Sequence, residues 1–309
     1  MQSRQASTFA ISLTPFAEDG SLHEEEFRAH LRRLAGAGIG VHVGGSGSGE
    51  GYVLSPTERR RVLEIASEVL SGHVPVRAMG VEPRSAREMI AYGEEVAAAG
   101  LDAMQVYSLD QGHGYRPRPE ELEGYLADVL DAVSIPVVIS SHQAMGYDVP
   151  AKLVARLIET YPHLIGINFT HPDVRALVNL LDAVDGRIDV HVGGPMQAIT
   201  ALALGAQGYL SSEGNLAPRL CVSVIDAHRQ GDLAARDDAF AKLLRLFHAT
   251  QEGGGISATK GALHLLGLPG GWVRRPRHPV SDAVASELAS IFEELGLREI
   301  EELSARPES

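Results

Sequence analysis

Cysteine is nearly absent. Cys221 is the only one in 309 residues, so no disulfide can form within the chain. That suits a reducing compartment, and a cytoplasmic protein is expected. Lysine is almost as scarce, with Lys152, Lys242 and Lys260 the only three. Positive charge is outnumbered, 27 basic residues against 40 acidic ones, for a net charge of −13. A nucleic-acid or anionic-membrane partner needs a basic face, so neither is expected. The densest basic cluster, Arg274, Arg275 and Arg277, reads as a solvated face or a subunit contact. Long hydrophobic runs are missing too. No window approaches the ~18 apolar residues that span a bilayer. The opening MQSRQASTFAIS has no apolar run of the kind a signal peptide carries, so none is expected.

What is present is a large globular core in the making. Hydrophobic residues are 44% and charged residues 22%, which excludes disorder and low-complexity classes. Short β-like runs alternate with amphipathic stretches. Strands are expected at 9–13, 38–43, 74–79, 102–107, 136–140, 164–169, 188–192 and 207–211. Helices are expected at 23–36, from Ser55-Pro56 onward, and near 84–99, 119–133, 149–160, 173–184 and 195–204. Ser55 with Pro56 and Glu58 has the form of a helix start: a hydroxyl cap, a proline at the first position, a glutamate at the third. Strict β–α alternation implies parallel strands with crossover helices. An open dinucleotide-binding sheet is the alternative, but no G-x-G-x-x-G opens the first helix. Eight units in roughly 220 residues favour a closed (β/α)₈ barrel. The expected organisation is a barrel over 7–230, a three-helix extension over 231–298 and a frayed polar tail over 299–309. Cys221 reads as a small buried residue of the helix after strand eight. The single tryptophan, Trp272, reads as packing the extension onto the barrel.

Several motifs resemble one family. Thr14-Pro15-Phe16 followed by Asp19-Gly20 looks like the opening of the dihydrodipicolinate synthase / N-acetylneuraminate lyase family. Ser46-Gly47-Ser48-Gly49-Glu50, then Leu54-Ser55-Pro56-Thr57-Glu58-Arg59, is similar to its second-strand signature. Gly205-Ala206-Gln207-Gly208, then Ser211 and Asn215-Leu216-Ala217-Pro218, resembles its eighth-strand segment. Lys260, Ala262, Leu263 and Gly267, ending in Arg275-Pro276, resemble its C-terminal helical region. The resemblance runs from about residue 10 to 280. It implies a (β/α)₈ barrel, a homo-oligomer (dimer or tetramer), and action on pyruvate or another 2-oxo acid.

The same resemblance exposes departures. The family's lysine on strand six forms a Schiff base with the oxo acid, and here the motif reads Gly166-Ile167-Asn168. An amide cannot form an imine with a ketone. None of the three lysines is expected at the C-terminal end of a strand, where barrel sites are built. The family's tyrosine after strand five is replaced by Ser140, within Ile139-Ser140-Ser141-His142. Residues 136–150 contain no arginine for a substrate carboxylate. The fourth-strand end, usually Pro-Tyr-Tyr, reads Tyr107-Ser108-Leu109-Asp110-Gln111. The departures gather on one rim while the scaffold motifs survive.

Candidate residues follow from that rim. Ser46, Ser48 and Gly49 sit in a glycine loop whose amides can hold an anion. Tyr107 and Gly193 complete the expected substrate-binding set. Glu50 is expected to be structural, bonded to backbone within its own loop. Asn168 and Ser140 are the expected donors to a carbonyl or enolate oxygen. His142, His113 and Asp110 are the expected acid–base groups. His142, His113, Asp110 and His171 near strand ends, with His42 and His191 inside strands, also raise a divalent-metal alternative. No H-x-H or H-x-x-x-H spacing supports it, so no cofactor is the favoured reading. The expected activity is a lyase acting on a small carboxylate, a 2-oxo or hydroxy acid, by acid–base and oxyanion chemistry without a Schiff base. Aldol cleavage, hydration or dehydration, and isomerisation all fit. A non-catalytic binding or partner protein is the alternative, and a conventional family lyase is a third reading.

Overall fold

The computed structural model describes residues 5–142 and 145–304. Eight parallel strands close on themselves in chain order: β1 (Ser7–Ile11), β2 (Gly40–Val43), β3 (Val76–Ala78), β4 (Ala103–Val106), β5 (Val137–His142), β6 (Leu164–Thr170), β7 (Asp189–Gly193) and β8 (Gly208–Ser211). The expected (β/α)₈ barrel is the observed one. Between strands run α1 (Glu24–Gly36), α2 (Pro56–Leu70), α3 (Ala86–Ala99), α4 (Pro119–Ala132), α5 (Ala151–Thr160), α6 (Val174–Val184) and α7 (Ala198–Ala203). After β8 come α8 (Pro218–Gln230), α9 (Leu233–Glu252), α10 (Ile256–Leu265), α11 (Asp282–Glu294) and the short α12 (Leu297–Ile300). No described helix is long and apolar enough to cross a membrane.

Local chemistry sets the elements. Ser55 accepts the Glu58 amide while the Glu58 carboxylate accepts the Ser55 amide, the reciprocal cap read from the sequence. Ser85 caps α3 in the same hydroxyl fashion, and Gly100 closes it in the left-handed region. β1 begins and ends two residues earlier than the 9–13 expected. The amide of Leu13 donates to the Asn215 side chain at 2.9 Å, which draws the chain out of the ladder. The earlier start pairs Ser7 with Gly208, where a Cβ would stand 1.7 Å from the Ser7 carbonyl oxygen.

The outward strand residues and the inner helix faces form one continuous core, from Val41 and Ile139 through Leu220 to Leu243, Leu263 and Phe292. The extension therefore shares the barrel's core. The barrel interior is different. Such interiors are usually filled by bulky branched side chains. Here Phe9 is covered by the Arg77 guanidinium at 4.1 Å and flanked edge-on by the His42 and His191 rings at 5.2 and 5.3 Å. Ser7 Oγ lies 2.8 Å from His191 Nε2. Both nitrogens of His42 and Nδ1 of His191 have no hydrogen-bond partner among the described residues. Burial holds the His191 imidazole down at about 3 and His42 well below the usual imidazole range, with the Arg77 charge adding to both.

Three expectations about the C-terminal region change. Residues 299–303 do not fray in the fold. Leu297 is fully buried, and the Glu301 carboxylate accepts the amides of Leu220 (3.0 Å) and Arg219 (3.3 Å). It thereby caps α8, whose own Ala217 offers no side-chain acceptor. Trp272 docks by its backbone, exchanging amide bonds with Phe16, while its side chain is 40% exposed. Arg274 is not a solvated charge. It donates to Gly20 O, Val53 O and Glu58, and lies 4.1 Å over the Phe16 ring. Removing the remote cap tests its role: Glu301→Ala should cost about 1 kcal/mol. The urea midpoint should fall with an unchanged m-value, and an unmoved midpoint would show that the cap contributes nothing.

Candidate active site

A cavity of about 540 Å³ opens at the C-terminal ends of the strands, and every strand or the residues just past it supply lining residues. This is the face on which barrel enzymes place their chemistry. Its floor comes from the inward positions of β4, β5 and β6. Ser140 and Asn168 are register partners across β5 and β6, and His142 and Thr170 pair one pleat higher. The period of two along a strand puts all four on the same face.

The floor is amide-rich. Asn168 Nδ2 donates to Gln105 Oε1, and Gln105 in turn bonds the Tyr107 phenol. Asn168 Oδ1, on a residue 3% exposed, has no donor among the described residues. Burial raises the Tyr107 hydroxyl well above its ordinary value, with the Glu82 charge adding to the effect, so it stays protonated at neutral pH. Ser108 Oγ fastens the β5 edge by donating to Ser140 O at 2.9 Å. His142 stands higher on the wall. Burial pulls its imidazole below the usual range, opposed by the charge of Glu82. The ring is therefore neutral at pH 7, the form that can accept a proton.

The glycine loop after β2 forms another wall. Close approach explains two of its glycines: a Cβ on Gly49 would stand 2.8 Å from Gly45 backbone, and one on Gly51 2.3 Å from Gly44 O. Among the described residues, the amides of Ser46, Gly47, Ser48 and Gly49 have no acceptor. Ser46, Gly47 and Ser48 line the cavity, and Gly49 is not among its lining residues. The Ser46 hydroxyl donates to the Glu82 carboxylate. Glu50 does not bond within its own loop as expected. Its Oε1 accepts from Lys260 Nζ at 2.6 Å and its Oε2 from the Arg274 amide at 3.0 Å.

Of the expected site residues, the fold brings together Asn168, Ser140, His142, Ser46, Ser48, Tyr107 and Gly193. Gly193 is needed because a Cβ there would meet Thr170 Oγ1 at 1.8 Å. The fold leaves out Gly49, Asp110 and His113. Asp110 accepts the Gly112 amide in an exposed turn, and His113 is an exposed residue at φ +52°. Turn chemistry accounts for both: a carboxylate two residues before glycine fits that turn. His171 sits by Asp148 at 3.2 Å and outside the cavity. Among the described residues no three His, Cys, Asp or Glu side chains gather as metal ligands. Sequence reading missed Glu82, Gln105 and Gln251. Glu82 lies just past the expected third strand, and an acid past a barrel strand's end was the available signal. Gln251 comes from α9 and had none.

No lysine reaches the cavity. Lys152 is exposed on α5, and Lys242 pairs with Asp238 on the surface of α9. Lys260 is buried elsewhere, with Nζ donating to Thr14 O (2.7 Å), Glu50 Oε1 (2.6 Å) and Trp272 O (2.8 Å). Burial lowers it to about 8, yet all three ammonium protons are spoken for.

Comparison with known proteins agrees with the architecture. The profile of the dihydrodipicolinate synthetase family matches residues 5–295. A 4-hydroxy-tetrahydrodipicolinate synthase of Methanopyrus kandleri is 28% identical over 96% of this chain and 95% of its own. An uncharacterized DapA-like lyase of Rhizobium meliloti is 28% identical over 91% of this chain and 92% of its own. Among solved structures, YagE, a prophage protein from E. coli K12 solved in complex with pyruvate, superposes with a TM-score of 0.86. It is 27% identical and the match covers 94% of this chain and 99% of that one. The N-acetylneuraminate lyase of Proteus mirabilis shares the fold, with a TM-score of 0.84 at 23% identity over 95% of this chain and 99% of that one.

Proposed function

Because the chain belongs to the dihydrodipicolinate synthetase family while Asn168 occupies the strand-six position, we propose that it is an aldolase-type lyase working without a Schiff base. The observation that carries this reading is the cavity itself: a walled site at the strand ends with no amine in it. The substrate is a small carboxylate, a 2-oxo or hydroxy acid. Its carboxylate rests on the unpaired amides of Ser46, Gly47 and Ser48, an anion nest. The Ser140 hydroxyl and the Asn168 amide face the carbonyl oxygen.

For cleavage of a 4-hydroxy-2-oxo acid, neutral His142 takes the proton of the 4-hydroxyl. The C3–C4 bond breaks, an aldehyde leaves, and the bonding pair becomes the enolate of the 2-oxo acid. Its oxyanion is held by Ser140 and Asn168, and C3 then takes a proton from the imidazolium. Donors aimed at a developing oxyanion lower such barriers by about 3–4 kcal/mol each. The proposal needs no resident metal. It also keeps the expected homo-oligomer: exposed Val174 and Val178, one turn apart on α6, and Met196 and Leu204 beside α7 are apolar surface a second copy would cover.

Borohydride with pyruvate tests the central point. The intact mass should be unchanged, and a reduced adduct on any lysine would overturn the proposal. Release of the 2-oxo acid from a panel of 4-hydroxy-2-oxo acids, read by a coupled dehydrogenase, tests the chemistry. His142→Gln should lower kcat about 10²–10⁴-fold with KM little changed, and chelator should have no effect. Binding without turnover across the panel would favour the non-catalytic reading.

A further inference from the structure

The proposed chemistry leaves one charged group of the cavity unused. Glu82, just past β3, lines the same wall as Ser46 and is the only carboxylate among the described lining residues. None of those residues is lysine or arginine. The Glu82 carboxylate offers about four lone-pair sites, and one donor, the Ser46 hydroxyl, meets it. Among the described residues, Glu82 thus has more lone pairs than donors.

A bare 2-oxo acid brings only acceptors and a negative charge to Glu82. A ligand with hydroxyl or ammonium protons supplies what is missing. We infer that Glu82 sets the specificity of the site, selecting substrates that carry hydroxyl donors beside the carboxylate and disfavouring pyruvate itself. The inference rests on the proposed function for its carboxylate anchor alone.

Calorimetric titration of the full chain with three probes tests it: pyruvate, glycerate, and serinol (2-amino-1,3-propanediol). Serinol carries donors and no carboxylate. Glycerate should bind at least ~10-fold tighter than pyruvate, the usual scale for a hydrogen bond to a charged group. Glu82→Gln should shrink that preference to within about 3-fold, since the amide still accepts but carries no charge. Should that variant not fold, Ser46→Ala serves instead. It removes the donor that Glu82 already has, and the preference for glycerate should rise.

Equal affinities in the native protein, or a preference that survives Glu82→Gln, overturn the inference. Serinol separates it from the carboxylate anchor. Serinol binding that is lost in Glu82→Gln, with neither acid bound, supports the inference and removes the anchor. Both acids bound equally, with serinol unbound, does the reverse. No binding by any probe overturns both.

Discussion

Lys260→Met should destabilise the protein by about 3–5 kcal/mol, the usual cost of stranding one member of a buried ion pair. With an unfolding entropy of about 2.1 cal/mol/K per residue, the thermal midpoint should drop by about 5–8 °C. The reason is the environment of Glu50. Its residue is fully buried, Lys260 is 2% exposed, and their charged atoms stand 2.6 Å apart. Removing the ammonium leaves the carboxylate with the Arg274 amide as its remaining donor among the described residues. Thr14 O and Trp272 O lose a donor at the same time. The double variant Lys260→Met with Glu50→Gln should regain part of the loss, because no charge is then left unpaired. A single-variant loss below about 1 kcal/mol would refute this account. The consequence reaches the site. Glu50 is held in the left-handed region at φ +49° and ends the loop that presents the free amides. Lys260 is thus a positioning residue, and Lys260→Met at a temperature where it remains folded should bind carboxylates more weakly.

Acid should destabilise the protein well before its carboxylates titrate. His30, His42 and His191 are buried, and burial depresses all three imidazoles, to about 3 for His30 and His191 and well below 6.5 for His42. In the unfolded chain each titrates near 6.5. Above that value neither state binds the proton, and stability does not depend on these groups. Below it the unfolded chain takes up protons that the folded protein refuses, so stability falls as pH falls. The window runs from about 6.5 down to the depressed values. At pH 5 each histidine costs about 2 kcal/mol. Burial raises Glu213 and Glu301, which works in the opposite sense and offsets part of the loss. The neighbours of the barrel pair are Arg77, whose charge deepens the depression, Ser7, Phe9 and the acids Asp102 and Asp189 near Arg77. The expected result is a thermal midpoint about 5–10 °C lower at pH 5 than at pH 7. His42→Leu should remove about a third of that dependence. A midpoint unchanged between the two pH values would show that these imidazoles protonate freely in the fold.

How far the sequence could be read depended on whether the signal was local. Helix starts such as Ser55-Pro56 with Glu58, and glycine-closed helix ends, are written within a few residues because a cap bonds its own next turn. Alternation of apolar runs with amphipathic stretches was enough for eight strands and a parallel barrel. So was the absence of an amine from strand six, because Asn168 is a fact of composition and order. The lining of the cavity was legible where a residue sits on a strand, as for Ser140, His142 and Asn168.

What tertiary structure decided was which distant groups meet. Lys260 and Glu50 are 210 residues apart, and no spacing predicts their contact. Asp110 and His113 carry the right chemistry but lie in a turn outside the cavity, whereas Glu82 lies inside it. Strands buried on both faces read as continuous runs, so the inward side of His42, Arg77 and His191 could not be told from the outward one. Closing the barrel fixed that side and brought Gln251 of α9 to the mouth. Local order set the elements through short-range hydrogen bonds and apolar periodicity. The chemistry of the site came from closure and register, which join residues that are far apart in the chain.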